Sequence, residues 1–263
     1  MKSRKLTIPY IIWMLVFTMI PIVMIGISAF TDKQGNFSLQ SFEKAFYYSN
    51  VFVKSLLIAL ISTAICLVLA YPLAYMMTRM KKSGQKTFIM MIMIPMWMNF
   101  LLRIYAWIIL LQKNGPIDTA LSMLGIHSTY IGNTAAVVAG MVYEYLPFMV
   151  LPIYTVMSKI DGGLIEAAQD LGSSNPAVFR KVIFPLSIPG IISGITMVFV
   201  PSASTFLVSQ YLGGTDDIMI GDVIDNIFWT DQNTGAAISL VMMVFIFIFL
   251  VIMNLFGDEE AIA

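Results

Sequence analysis

The sequence predicts an all-α, polytopic membrane protein of six transmembrane helices. Three observations carry that prediction. First, of 263 residues, 59% are hydrophobic and only 11% charged, with a mean hydropathy of +0.85; soluble domains carry roughly 25% charge. Second, the apolar residues collect into runs of about 20, the length that crosses a hydrocarbon core. Third, Lys and Arg collect in alternate loops between those runs.

The spans in order begin with Ile8 to Phe30, behind Lys2, Arg4 and Lys5. This run is longer than the 7–15 residues of a signal-peptide core, and further spans follow, so it reads as an uncleaved anchor. The second span covers Phe52 to Thr78, with Pro72 a kink point, and the third Phe88 to Leu111. The fourth covers Ala135 to Met157, with Pro147 and Pro152 inside. The fifth runs from Ser187 to Gln210 and the sixth from Ala236 to Phe256. Lipid offers no hydrogen-bond partners, so each span is expected to be a helix. A single transmembrane domain, residues 1–263, is expected to account for the whole chain.

Orientation follows from the basic residues. Lys2, Arg4, Lys5, Arg79, Lys81, Lys82, Lys86, Lys159, Arg180 and Lys181 fall on one side; Lys33, Lys44, Lys54 and Lys113 fall on the other. Ten against four places both termini and the 158–186 loop in the cytoplasm. The acidic tail Asp258, Glu259 and Glu260 does not alter this, because acidic residues contribute little to orientation.

Several chemistries are not supported. Net charge is zero, so there is no basic signature for nucleic acid. The one cysteine, Cys66, lies in a span, and the one histidine, His127, in an outer loop. Neither gives a disulfide, a metal-ligand cluster or a nucleophile–base pair, and no cofactor is expected. Gly84-Gln85-Lys86-Thr87 superficially resembles a phosphate-binding loop, but the G-x-x-x-x-G-K-[ST] spacing and the preceding strand are missing. A basic cytoplasmic anchor explains it better. No nucleotide site is therefore expected on this chain.

The outer loop Tyr211 to Gly235 carries Asp216, Asp217, Asp222, Asp225 and Asp231. Ile218 to Trp229 has the spacing of a short interfacial helix. Its carboxylates either attract a cationic solute, contact a docking protein, or are simply solvated. Two ionisable residues, Arg103 and Glu144, fall inside spans three and four, where an unpaired charge costs a few kcal/mol. They either pair across the spans or line a wet pathway. Trp97, Tyr105 and Trp107 on span three, with Tyr143 and Tyr145 beside Glu144, are the aromatic faces that an ammonium favours. On span five, Ser202, Thr205 and Ser209 form a polar ridge, which reads as helix–helix contact or, with Phe206 and Gln210, as pore lining.

The cytoplasmic loop Leu164 to Pro185, LIEAAQDLGSSNPAVFRKVIFP, is a helix–turn–helix elbow. Gly163 caps a first helix, Glu166 sits in its first turn, and Leu164, Ala167, Ala168 and Leu171 share a face. Gly172 stops it. Asn175-Pro176 starts a second helix through Phe179 and Arg180, which Pro185 ends. Small alanines on an exposed ridge fit a partner's groove.

Glu166-Ala167-Ala168, Gly172 and Val182-Ile183-Phe184-Pro185 resemble the EAA loop of type I ABC importer permeases, with Val182 and Phe184 conservative departures. IPMWMNFLLRIYAW (Ile94 to Trp107), YEYLPFMVLPIYTVMSKID (Tyr143 to Asp161) and FLVSQYLGG (Phe206 to Gly214) look like the first permease subunit of spermidine/putrescine importers. The resemblance implies a second, related permease subunit, two cytoplasmic ATPase subunits docked on the elbows, and an external substrate-binding protein. It implies that Glu166, Ala167, Ala168 and Gly172 carry the ATPase contact, with Leu171 and Pro185 of the same elbow placed beside them. Arg103, Tyr105, Trp107, Tyr143, Glu144, Phe206 and Gln210 are the candidates for lining a solute's pathway, read from the residues themselves rather than from the resemblance. The family often has Asp where Gln210 stands, and Glu144 is a candidate to compensate. Permeases for sulfate, ferric iron or opines share the elbow and spans. A nucleotide-independent secondary transporter using Arg103 and Glu144 as a relay is the rival, although no inverted repeat of broken helices is visible.

Overall fold

The computed structural model describes residues 3–123, 125, 130–215 and 217–260. Lys2, His127 and Asp216 lie outside the described residues. The chain is helical, and the described residues hold no strand, only an isolated bridge between Thr31 and Phe37.

The helices in order are α1 (Ser3–Met14), a π-turn (Leu15–Met19), α2 (Ile20–Ala29), α3 (Gln40–Phe46), α4 (Ser49–Arg79), α5 (Lys82–Met93), a 3-10 turn (Ile94–Trp97) and α6 (Phe100–Leu111). There follow α7 (Pro116–Ser122), α8 (Thr134–Met157), α9 (Gly162–Asp170), α10 (Asn175–Val178), a π-turn (Phe179–Ile183), α11 (Phe184–Ser204), α12 (Leu207–Leu212), α13 (Ile220–Thr230) and α14 (Gln232–Glu260). Five helical stretches are long and apolar enough to cross a bilayer: Pro9–Ala29, Ser49–Arg79, Thr134–Met157, Asn175–Ser204 and Gln232–Phe256. The pair Lys82–Trp97 and Phe100–Ser122 bends by 94°, and counted as one span it brings the number to six.

Two spans differ from the sequence expectation. The third is not one straight helix. Met98 and Asn99 are extended, and the Asn99 side chain restarts the helix by accepting from the Leu101 N–H at 2.9 Å. The fifth ends at Ser204 rather than Gln210. Thr205 turns extended, and Phe206 leads into α12 as a separate short helix. The polar ridge Ser202, Thr205, Ser209 is thereby split between two helices.

Pro185 also does not end a helix. The elbow's second arm runs unbroken from Asn175 into span five. Proline lacks an N–H and crowds the carbonyl four residues back. The π-turn just before it, in which the Phe184 N–H reaches back to Phe179 O, opens the backbone where that crowding falls. Span one repeats the device, with its π-turn directly ahead of Pro21.

Helix α8 is the centre of the bundle. It packs along α4 and α11, which also touch each other, while α14 joins α2, α3, α11 and α13. Cys66, Ala70 and Ala74 of α4 meet Met141, Met149, Val150 and Ile153 of α8 in one core. In lipid, close backbone approach replaces the hydrophobic effect as the packing force. A methyl at Gly190 would stand 3.0 Å from Pro152 O, and one at Gly194 2.6 Å from Met149 Sδ. Spans one and six present apolar side chains such as Trp13, Phe17, Phe247 and Leu255 outward, as lipid requires.

Candidate coupling elbow and permeation site

The elbow forms with one revision. Asp161, not Gly163, caps α9, accepting from the Gly163 N–H at 3.1 Å. A carboxylate satisfies an orphan donor that glycine cannot. At the other end Gly172 has φ +84, and its N–H bonds Gln169 O at 2.8 Å while the Ser173 N–H bonds Ala168 O at 3.0 Å. This pair of bonds is the glycine-terminated helix end that only φ > 0 permits. Across the bend, Gln169 Nε2 donates to Asn175 Oδ1 at 3.0 Å.

Glu166, Ala167, Leu171 and Gly172 are exposed, and Leu171, an apolar side chain at a polar tip, is 88% exposed. Ala168 is half-buried, and Pro185 is exposed on the continuous helix. The base of the elbow is held differently. Phe179 meets Tyr75 and Tyr71 edge-on at 5.3 and 5.9 Å, and the Tyr71 and Ser187 hydroxyls share a hydrogen bond of 3.0 Å. Val178 and Ile183 are buried beside them. The elbow thus has a soft-contact, exposed tip on a clamped base.

Within the membrane, Arg103 of α6 and Glu144 of α8 form an ion pair, Nη2 to Oε1 2.5 Å, with both side chains less than a tenth exposed. Taking two such charges from water costs several kcal/mol each, offset by their attraction only when the geometry is good. Trp107 packs against Tyr143 with ring centroids 5.5 Å apart, and Tyr105 against Tyr211 at the same distance. The structure therefore brings together Arg103 with Glu144 and Trp107 with Tyr143. Phe206 is half-buried at the α11–α12 break, and Gln210 is exposed on α12.

The outer loop holds an arrangement the sequence reading missed. Asp217 accepts from Lys54 Nζ at 3.0 Å and from Thr134 Oγ1 at 2.5 Å. One carboxylate thereby ties α4, α8 and the loop before α13. Burial pushes its carboxyl up, but the hydrogen bonds from Thr134, Lys54 and the Gly214 N–H win and hold it below the usual range. Asp222 accepts from Ser209 Oγ at 2.6 Å and from the Met219 N–H at 2.9 Å; burial holds its carboxyl above the usual range. Asp231 pairs with Lys44 at 2.8 Å. The short helix expected at Ile218 to Trp229 is present as α13. Its loop is not simply solvated, however: the carboxylates of Asp217, Asp222 and Asp231 are engaged internally, while Asp225 is exposed. The available signal was Lys54 itself, a lysine at the mouth of an apolar span opposite that loop.

A bundle of helices long and apolar enough to span a membrane, with an exposed elbow between two of them and a charged pair within the spans, fits the membrane component of a transport system. The family model described as "Binding-protein-dependent transport system inner membrane component" matches residues 67–258, and the chain belongs to that family. It is 35% identical over 253 residues to the spermidine/putrescine transport system permease protein PotB of Haemophilus influenzae, covering 91% of this chain and 88% of that protein. With PotB of Escherichia coli (strain K12) it shares 36% over 245 residues, 88% and 89% of the two chains. A solved bacterial ABC transporter that imports alginate has the same fold, with a TM-score of 0.77 at 16% identity, over 98% of this chain and 95% of that one. A bacterial alginate ABC transporter solved in complex with an alginate pentasaccharide-bound periplasmic protein gives 0.74 at 17% identity, over 98% and 93%. The chain is a multi-pass membrane permease subunit, not a catalytic one.

Proposed function

We propose that this chain is one of two related permease subunits of an ATP-driven importer that brings spermidine and putrescine into the cell. The carrying observation is the identity of 35–36% over about nine-tenths of the chain to two spermidine/putrescine permeases. A carboxylate within the spans, Glu144, with the Trp107–Tyr143 aromatic pair on the same two helices, supports a cationic solute. A substrate-binding protein outside delivers the solute, and two ATPase subunits inside receive the elbows. Both termini and the elbow face the cytoplasm, in keeping with the ten basic residues on that side.

The elbow acts as a lever. Glu166, Ala167, Ala168, Leu171 and Gly172 seat its tip in the ATPase, with Pro185 on the arm behind. The continuity of Asn175–Ser204 supports this, because motion of the tip reaches span five without an intervening loop. ATP-driven closure of the ATPases tilts spans three to five, and hydrolysis reverses the tilt.

Co-purification from membranes in mild detergent, followed by ATPase assay with and without spermidine-loaded binding protein, tests the proposal. The expected result is an ATPase, a second six-span protein, and turnover stimulated by the loaded binding protein. A lone chain that moves solute without nucleotide would overturn it in favour of a relay through Arg103 and Glu144.

A further inference from the structure

The Arg103–Glu144 pair is poorly built for holding helices together. A guanidinium offers five donors in a rigid fork. Here Nη2 meets Glu144 while Nε is buried without a hydrogen-bond partner. A buried pair kept for stability has its remaining donors satisfied.

The surroundings match a different task. The Phe100 ring lies 5.8 Å from the guanidinium carbon. Trp107, one turn along α6 from Arg103, packs on Tyr143, the neighbour of Glu144. Tyr145, its other neighbour, lies near Thr205 at the break in span five. Tyr105 and Tyr143, on the same two helices as the pair, are exposed at 46% and 38%. A carboxylate among aromatic faces recognises a primary ammonium as well as a guanidinium.

The backbone separates the two partners mechanically. Arg103 rides on α6, which begins just after the Met98–Asn99 break. Helix α12, packed on both α6 and α8, begins just after the Thr205 break. Glu144 stands on α8, the most heavily packed helix of the bundle.

We infer that Glu144 is the seat for a substrate ammonium in the pathway, and that Arg103 occupies that seat while the pathway is closed. The inference rests on the polyamine reading above. As α6 swings on opening, the guanidinium leaves and an ammonium of the solute takes its place. Charge is exchanged at the carboxylate rather than stripped from it, so neither state buries a bare anion. The return of Arg103 expels the solute.

The test uses the whole assembled transporter in proteoliposomes, with ATP inside and spermidine-loaded binding protein outside, normalised to the amount of complex. Glu144→Gln is expected to lower spermidine uptake about tenfold or more. Arg103→Gln with Glu144→Gln restores a neutral, hydrogen-bonded pair of similar shape, and uptake is expected to stay as low. If the charges only hold helices, the double variant recovers to within about twofold of wild type, and that result overturns the inference. Should the neutral variants fail to assemble, Glu144→Asp keeps the charge but withdraws it by one methylene. A severalfold rise in the spermidine concentration for half-maximal uptake supports the seat, and an unchanged value overturns it. A wild-type complex that hydrolyses ATP but imports no polyamine removes the polyamine reading and the seat with it. Wild-type import with recovery in the double variant removes the seat alone.

Discussion

Replacing Gly172 tests the lever where its physics is cleanest. Gly172 holds φ +84, and a methyl built on it meets nothing within 4 Å. Within this chain, the effect of a methyl there therefore comes from the backbone and not from a clash. Forcing an ordinary L-residue into the left-handed region costs about 1–2 kcal/mol, and asparagine tolerates it better than most. One to two kcal/mol is a factor of roughly 5–30 in the population holding the turn. The expected order of damage is Gly172→Asn, then Gly172→Ala, then Gly172→Val, with the last worst because its side chain is branched. The bonds from the Gly172 and Ser173 N–H groups to Gln169 and Ala168 loosen in the same order.

The assay is uptake and ATP hydrolysis measured in parallel on the same reconstituted complex. Uptake per ATP is expected to fall along the series while membrane insertion is unchanged. Gly162→Ala is the matched control. Gly162 lies in the first turn of α9 without positive φ, and a methyl there also meets nothing within 4 Å. It should help the helix by up to about 1 kcal/mol rather than harm it. If Gly172→Val transports as many solutes per ATP as wild type, the elbow is not a rigid lever and the reasoning fails.

Three further outcomes are expected. Asp222→Asn keeps both hydrogen bonds as acceptor but removes a charge that burial disfavours. Because the folded pKa is raised, the charge costs stability as pH rises through it, so the variant should melt higher than wild type at pH 7.5, with the gain shrinking toward acid; a lower melting temperature at pH 7.5 would contradict this. Asp217 and Asp231 have lowered pKa values, so their contribution is present above the unfolded value of about 3.8 and lost as pH falls below it. Hydrogen exchange in α13, corrected for the intrinsic rate, should be faster in Lys54→Met than in wild type throughout pH 8 to pH 5, and equal rates would contradict the tie through Asp217. Gly194→Leu should separate α11 from α8, whose Met149 Sδ already stands 2.6 Å from a built methyl. A drop in melting temperature and in assembled complex is expected, and wild-type values for both would mean that the two helices part easily.

Spans two and four were legible to within a few residues because long apolar runs bounded by polar residues leave a helix no other place to begin or end. The breaks in spans three and five were not. Met98-Asn99 and Thr205-Phe206 sit inside apolar stretches whose composition is the same whether the helix is straight or bent. Pro95 and Pro201 marked both neighbourhoods as weak, but a proline does not say whether a span kinks, opens a π-turn, as ahead of Pro185, or stops. Asp161 as the cap of α9 was readable, since aspartate leads glycine at that position. The roles of Asp217 and Asp222 were not, because their partners Lys54, Thr134 and Ser209 are distant in the chain, and pairing across the fold has no local signature.

These breaks gain meaning from what lies on either side of them. Span five is one piece with the elbow, and Gly190 and Gly194 let its backbone rest directly on α8. A push at the elbow is therefore expected to carry α11 and α8 together, since well-packed contacts shift as units rather than stretch. The clamp of Tyr71 and Tyr75 on Phe179 brings the inner end of α4 into the same unit. Beyond the breaks, α6 and α12 pack on each other, and α12 also rests on α8. Relative motion then concentrates at Met98–Asn99 and Thr205–Phe206, on either side of Arg103 and Glu144. The Arg103–Glu144 pair bridges α6, which lies beyond the first break, and the heavily packed α8. That location favours a role in the transport cycle over one in holding the helices together.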